Sequence, residues 1–484
     1  MNRRMVLYTV GLIILLEAAL FLLPLVVCLI YKEWDSALAF LGAIGFSAVF
    51  GGAFAYFSKP RSRRIYAKEG FAITTFAWLG LSVFGALPFV FSGEIPSFTD
   101  AFFETVSGFT TTGASVLSNV EALSKSLLFW RSFTHWIGGM GVLVLLIAFL
   151  NGVSDRSIHI LRAEMPGPTM GKLMPKLSDT AKILYLIYLG MTAAQVVLLL
   201  CGGMPLFDSL LHTFGTAGTG GFGIYADSAA GFTSYQTWVI TVFMILFGIN
   251  FNLYYLILAR RARAVLRSTE LLVYLGIIAV SAGIIFINLF PFYESKALLV
   301  EDAAFQVASI VTTTGYSTVD FNTWPALSKT VLLLLMFIGG SAGSTAGGFK
   351  VSRVVMIFKN CAAEFRHMLH PRCVTVPRMD GKPVEEDTRK GVTMYFNIYM
   401  LGILIVFLLL SLNGFDLETT FSAAVTCFNN VGPGFGLAGP ASCYEAFSVF
   451  SKWLLSFAML LGRLEIWPIL LTLYPATWLS RRKK

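Results

Sequence analysis

The sequence predicts an all-α polytopic membrane protein: ten transmembrane spans, with four pseudo-fourfold repeats of span, pore helix, filter loop and span around one central ion pore. Three observations carry that expectation. The 484-residue chain is 56% hydrophobic and 13% charged, with a mean hydropathy of +0.73, whereas a soluble domain carries about 25% charged residues. Apolar stretches long enough to cross a ~30 Å hydrocarbon core recur ten times. A Thr- and Gly-rich segment also returns four times along the chain.

The apolar stretches lie near residues 6–31, 36–57, 70–92, 127–150, 183–203, 235–259, 270–292, 327–358, 393–413 and 451–479. Basic residues orient them. With both termini inside, most of the 36 Lys and Arg fall on the cytoplasmic side: Arg3 and Arg4, "KPRSRR", the 151–182 loop, "RRARAVLR", the 350–390 loop and the terminal "RRKK". More than half of the 27 acidic residues fall outside, a field that concentrates cations. The net charge of +9 is thus a topology signal and implies no nucleic-acid partner. "MNRR" leads into a full-length span without a small-residue cleavage site, so no cleavable signal peptide is expected. The six cysteines show neither metal spacing nor a disulfide framework.

The repeat reads "DAFFETVSGFTTTGAS" at 100–115, "FDSLLHTFGTAGTGGFG" at 207–223, "DAAFQVASIVTTTGYST" at 302–318 and "LETTFSAAVTCFNNVGPGFG" at 417–436. Each copy has an acidic residue (Asp100, Asp208, Asp302, Glu418), about ten mostly apolar residues, then a glycine turn, and each lies between two spans. Half-helices of that length are too short to cross and must re-enter. Irregular backbone at membrane depth survives only where protein buries it or water lines it. Four such turns around one axis describe a selectivity filter. The spacing takes Gly113, Gly220, Gly315 and Gly432 as its central glycines, where backbone angles disfavoured by a Cβ are needed. Helix C-termini aimed at the axis favour a cation. Uncharged carbonyl and hydroxyl ligands suit a large monovalent cation such as K⁺, and an oxygen-lined site for Na⁺ stays open.

With "GGSAGSTAGGFK" following the third copy, these motifs resemble the Trk/Ktr/HKT superfamily of potassium transporters, over essentially the whole chain. The two extra N-terminal spans and "RAEMPGP" resemble its TrkH/TrkG branch. The organisation expected is two extra spans (1–67), pore repeat 1 (68–150), a cytoplasmic loop and repeat 2 (151–262), repeat 3 with a gating loop (263–360), and a cytoplasmic loop with repeat 4 (361–484). The resemblance implies K⁺ uptake across a bacterial inner membrane by a homodimer with one pore per subunit. K⁺ would bind at filter residues Thr111, Thr112, Gly113, Gly218, Thr219, Gly220, Gly221, Thr313, Thr314, Gly315, Asn430, Val431 and Gly432. Aligned this way, Val431 stands where the other copies have Thr112, Thr219 and Thr314, and a ring with one ligand fewer would hold K⁺ more loosely.

The 327–358 stretch is interrupted at Gly339, Gly340, Ser341, Ala342, Gly343, Ser344, Thr345, Ala346, Gly347 and Gly348. Half of these are glycine, each costing about 1 kcal/mol against Ala in a helix, so the span breaks there. Close packing of small residues between helices is the plain alternative; the resemblance supports a loop that obstructs the pore below the filter. Arg463 reads as the only clearly intramembrane basic residue, and such a charge requires a partner: Glu465, pore water or carbonyls of the 339–348 loop. The resemblance places it facing pore and loop.

No nucleotide-binding fingerprint appears, since the glycines of "GTAGTGGFG" follow no strand. The resemblance implies a cytosolic TrkA-type nucleotide-binding ring on the basic face, and membrane lipid contacts the same loops equally well. The histidines lie apart, so no metal site is expected beyond the filter's K⁺, and there is no organic cofactor. Glu17 reads as a lipid-interface or helix-contact residue, with a proton site as the alternative. No nucleophile, base and orienting group recur at one depth, so no enzyme is expected. The rival transport readings are an obligatory K⁺/H⁺ or K⁺/Na⁺ symporter and a less selective monovalent cation pore.

Overall fold

The computed structural model describes residues 1–60, 66–141, 177–372 and 376–478. Within them the protein is helical, apart from a small antiparallel hairpin pairing Arg378–Met379 with Lys382–Pro383. Six helical segments are long and apolar enough to cross a membrane: Arg3–Tyr31, Trp34–Phe57, Ala67–Ser92, Asp179–Cys201, Thr269–Leu289 and Glu386–Asn413. Two bent pairs raise the count to eight.

The other expected spans are broken or only partly described. Ser234–Phe247 turns by 91° into Phe251–Leu258, and Val449–Arg463 by 115° into Trp467–Leu473. Both breaks have local causes. The Asn250 side chain caps the outgoing helix at Asn252 N, 2.9 Å away, offering a fresh start after Gly248. Pro468 occupies the first turn of the second outgoing helix, where its missing N–H costs nothing. The expected 327–358 span is a 13-residue helix, Ala326–Ile338, then a loop, then the separate helix Val351–Leu369. Lys125–Met140 accounts for the start of the 127–150 span. Residues 142–176, most of "KPRSRR" and the terminal "RRKK" lie outside the described residues.

The four half-helices are Phe98–Phe109, Leu206–Gly218, Lys296–Val311 and Leu417–Asn429. The third begins earlier than its motif suggests, leaving Asp302 nearly two turns inside. Each half-helix packs on the helix that follows its own loop and on the corresponding helix of the unit before. Thus Leu206–Gly218 meets Lys125–Met140, Lys296–Val311 meets Ser234–Phe247, Leu417–Asn429 meets Ala326–Ile338, and Phe98–Phe109 meets Val449–Arg463. The last contact closes the series into a ring. Ion pairs staple two of these seams, Lys329 to Glu418 and Lys452 to Asp100, each at 2.7 Å. The first helix, Arg3–Leu20, packs outside the ring on Trp34–Phe57 and Ala67–Gly85. Glu17 is wholly buried in that contact, its carboxylate within 2.9 Å of where a Gly85 β-carbon would stand. Its burial is that of a helix-contact residue.

Candidate ion pathway

The four half-helices run into turns of one design. The first turn residue adopts left-handed φ: Thr111 54°, Thr219 55°, Thr313 56° and Asn430 56°. The next donates its N–H to the carbonyl five residues back, Thr112 to Ser107, Gly220 to Gly215, Thr314 to Ser309 and Val431 to Thr426, at 2.8 to 2.9 Å. Then comes a glycine of positive φ: Gly113 81°, Gly221 77°, Gly315 84° and Gly432 97°. A β-carbon on these glycines would meet a carbonyl of the next turn: Gly113 that of Gly220 at 2.1 Å, Gly221 that of Thr314 at 1.9 Å, Gly315 that of Val431 at 2.3 Å, and Gly432 that of Thr112 at 2.4 Å. Glycine is required for both conformation and space, and the four turns close a ring of backbone.

This register corrects the sequence spacing in the second copy. Gly221, and not Gly220, corresponds to Gly113, Gly315 and Gly432, while Thr219 corresponds to Thr111, Thr313 and Asn430. Gly220 stands level with Thr112, Thr314 and Val431, so two of the four copies lack threonine there. Two adjacent glycines hid the offset. Gly218 is the last residue of its half-helix. Gly220 has its own reason to be small, because a β-carbon would lie 2.4 Å from the His135 ring. His135 Nδ1–H donates to Gly108 O at 2.7 Å, and Nε2 accepts from Phe222 N at 3.2 Å. A neutral imidazole thus ties the first half-helix to the second turn.

Side chains brace the ring from behind. Arg131 donates to Glu104 at 2.6 Å and to Gly223 O at 2.8 Å, with its guanidinium 3.6 Å from the centre of the Phe222 ring. Glu104 also accepts from Ser115 Oγ at 3.0 Å and Val116 N at 3.1 Å. One buried ion pair therefore fastens the outer parts of turns one and two. The Thr112 hydroxyl shares a 2.8 Å hydrogen bond with Thr110 and accepts from Asn430 Nδ2 at 3.0 Å; that of Thr314 shares one with Thr312 at 2.7 Å. On the outer side a cavity of about 260 Å³ touches all four ring glycines, with no carboxylate among its lining residues. At its rim, burial, the hydrogen bond to Asp208 and the charge of that carboxylate push Tyr225 up to about 12.

The glycine-rich loop lies against the inner end of the ring. Gly347 N donates to Thr313 Oγ1 at 2.6 Å, and a β-carbon there would meet Asn429 O at 2.5 Å. Gly339 and Gly340 leave the helix; Ser341 N reaches Gly248 O at 3.0 Å, and Gly343 O accepts from Phe251 N at 3.0 Å, at the break in the second unit. Ala342 N bonds Glu270 at 2.7 Å, Ser344 Oγ bonds Ser341 O at 2.7 Å, and Thr345 Oγ1 bonds Phe247 O at 3.2 Å. Ala346 O accepts from Lys350 Nζ, and Gly348 folds back onto Gly339. Arg463 donates to Thr345 O at 2.9 Å and to Gly138 O and Gly139 O at 2.5 and 2.8 Å. Of its expected partners the loop carbonyl is present, while Glu465 instead pairs with Arg353 at 2.5 Å. Arg463 is itself half-buried and does not stand alone, since Arg131, Lys350, Arg353 and Lys452 are buried. Among the described residues, no group of three His, Cys, Asp or Glu is placed to hold a metal.

The family model for TrkH, a cation transport protein, matches residues 38–289 and 294–479. The chain belongs to the TrkH family of cation transport proteins. The Trk system potassium uptake protein TrkH of Salmonella typhimurium is 34% identical over 99% of this chain and 100% of that protein. TrkG of Escherichia coli K12 is 33% identical, covering 99% of each. The crystal structure of the potassium transporter TrkH from Vibrio parahaemolyticus superposes with a TM-score of 0.89 at 32% identity, over 99% of this chain and 100% of that one. The family is one of transporters and not of enzymes. In this family member, sequence reading missed His135, Arg131 and Glu104 as the brace of the ring. A signal was present: Arg131 and His135 lie four apart on one helix face, directly after a half-helix carrying a mid-helix glutamate.

Proposed function

We propose that this chain takes up K⁺ across a bacterial inner membrane, through ten spans whose four repeats surround a single carbonyl-lined pore. The observation that carries the reading is the closed ring, in which every turn presents a carbonyl against a glycine of its neighbour and no carboxylate reaches the cavity above. Such a site replaces the shell of a weakly hydrated monovalent cation without the field of a carboxylate ring. The filter residues are Thr111 to Gly113, Thr219 to Gly221, Thr313 to Gly315 and Asn430 to Gly432. The names of its relatives supply potassium as the ion. The 339–348 loop is the gate, with Arg463 pinning it to the first unit while adding a positive charge that opposes cations below the filter. A homodimer, cytoplasmic termini and a TrkA-type nucleotide-binding ring on the basic face complete the proposal.

The test is cation flux into proteoliposomes holding the purified protein, for K⁺, Rb⁺, Na⁺ and Li⁺. The parent should pass K⁺ and Rb⁺ well above Na⁺, with a reversal potential that follows K⁺ alone. Gly315→Ser should erode that preference, and Arg463→Ala should raise flux about tenfold, the value of roughly one charge-assisted hydrogen bond. A reversal potential that moves with pH or Na⁺ would establish the symporter instead.

A further inference from the structure

A single carboxylate ties the first half of the gating loop to the helix that leaves it. Glu270, the second residue of the helix Thr269–Leu289, accepts from Ala342 N at 2.7 Å and from Ser352 N at 3.2 Å with the same oxygen, Oε1. Ala342 belongs to the first half of the loop, and Ser352 is the second residue of the helix Val351–Leu369 that leaves it. An acceptor there also meets the positive N-terminal end of that helix. Glu270 itself is buried, and it holds the loop at Ala342 whereas Arg463 holds it at Thr345.

The helix carrying Glu270 is anchored from the basic, cytoplasmic-side segment. Ser268, at its N-cap, makes no side-chain cap bond. The exposed N–H of Thr269 is taken instead by Asp380 Oδ1 at 2.7 Å. Asp380 occupies the tip of the 378–383 hairpin, with φ 49°. Lys359, on the helix leaving the loop, donates to Arg378 O of the same hairpin at 2.7 Å. The hairpin therefore holds the start of the helix that carries Glu270 and the middle of the helix that leaves the loop.

We infer that Glu270 is the positioning residue that latches the loop beneath the filter, and that the 378–383 hairpin is the lever that sets the latch through Asp380. The inference rests on the proposed pore reading. Moving the hairpin displaces the start of Thr269–Leu289, separates Glu270 Oε1 from its two N–H donors and frees the loop at Ala342 while Arg463 still holds Thr345 O. Ions do not touch Glu270, so it alters opening without altering the filter.

The experiment is single-channel recording of the full chain in bilayers, reading open fraction and the K⁺/Na⁺ permeability ratio separately. Glu270→Ala should raise open fraction about tenfold, Glu270→Gln about threefold because an amide oxygen still accepts, and Asp380→Ala about threefold. Permeability ratios should stay at the parent value. Asp380→Ala should add nothing in the Glu270→Ala background, since both act through one connection. Unchanged open fraction in Asp380→Ala and Glu270→Gln, or full additivity of the pair, overturns the latch; the exposed Asp380→Ala and the conservative Glu270→Gln decide the matter if Glu270→Ala does not fold. Arg463→Ala is the control that separates the two ideas. K⁺ current in that variant with no response to Glu270 or Asp380 removes the latch alone, whereas no current in parent or variant removes the pore and the latch with it.

Discussion

The ring of turns and the loop beneath it follow opposite rules of symmetry. At the ring, four turns of different sequence share one backbone: a left-handed residue, a five-residue back-bond and a positive-φ glycine. Below it stand one loop, one arginine and one clasping carboxylate, with no counterparts among the other described units. On the proposed pore reading the reason is plain: coordinating an ion requires ligands on every side, so any copy that departs from the geometry opens a gap. Obstructing a narrow passage needs one object, so three copies are free to serve as its walls. The break in the second unit and the carbonyls of Gly138 and Gly139 serve in that way.

The brace behind the ring is intermediate, and it offers the largest test of the comparison. Seven residues before each left-handed position stand Glu104, His212, Gln306 and Ala423. Only the first holds an ion pair; the side-chain polar atoms of His212 and Gln306 make no hydrogen bond among the described residues. Glu104→Ala leaves Arg131 buried and uncompensated and should destabilise the protein by about 3–5 kcal/mol, seen in thermal unfolding in detergent. Gln306→Ala should cost well under half of that. Equal losses would mean that the brace is fourfold in energy despite its chemistry.

Next in size is the register of the second turn. Gly221→Ala forces a β-carbon into Thr314 O at positive φ, a strain of order 1–3 kcal/mol, and the displaced carbonyl should lower K⁺ over Na⁺ preference by about tenfold. Gly220→Ala presses on the His135 ring instead, and should disturb folding more than preference. The reverse ranking in flux measurements would restore Gly220 as the ring glycine.

The repeat, the re-entrant half-helices and the break at Gly339–Gly348 were all legible, because each is local: composition, length and glycine content within one window. What escaped the sequence depends on distant partners. Nothing near Glu270 points to Ala342, and nothing near Arg463 points to Gly138. The bends at Gly248–Asn250 and Leu464–Ile466 escaped for another reason, since apolar residues continue through them and hydropathy is blind to direction. The register of "TGG" turned on a positive φ that either glycine can adopt, so only the neighbouring carbonyl decides it.

The smallest effect bears on Val431, which reads from the sequence as a missing ligand. The structure offers a different account. The residues level with it are Thr112, Gly220 and Thr314, and what each presents to the neighbouring glycine is a carbonyl, which valine supplies equally. The two hydroxyls at this level are already engaged behind the turns, Thr112 with Thr110 and Asn430, and Thr314 with Thr312. Val431→Thr should therefore change the K⁺/Na⁺ permeability ratio by less than about twofold, while costing some stability because its new hydroxyl is buried. A severalfold gain in K⁺ preference would show that side chains and not backbone set the ligand field, and the ring's shared geometry would then be a scaffold for hydroxyls, with two of its four sides left empty.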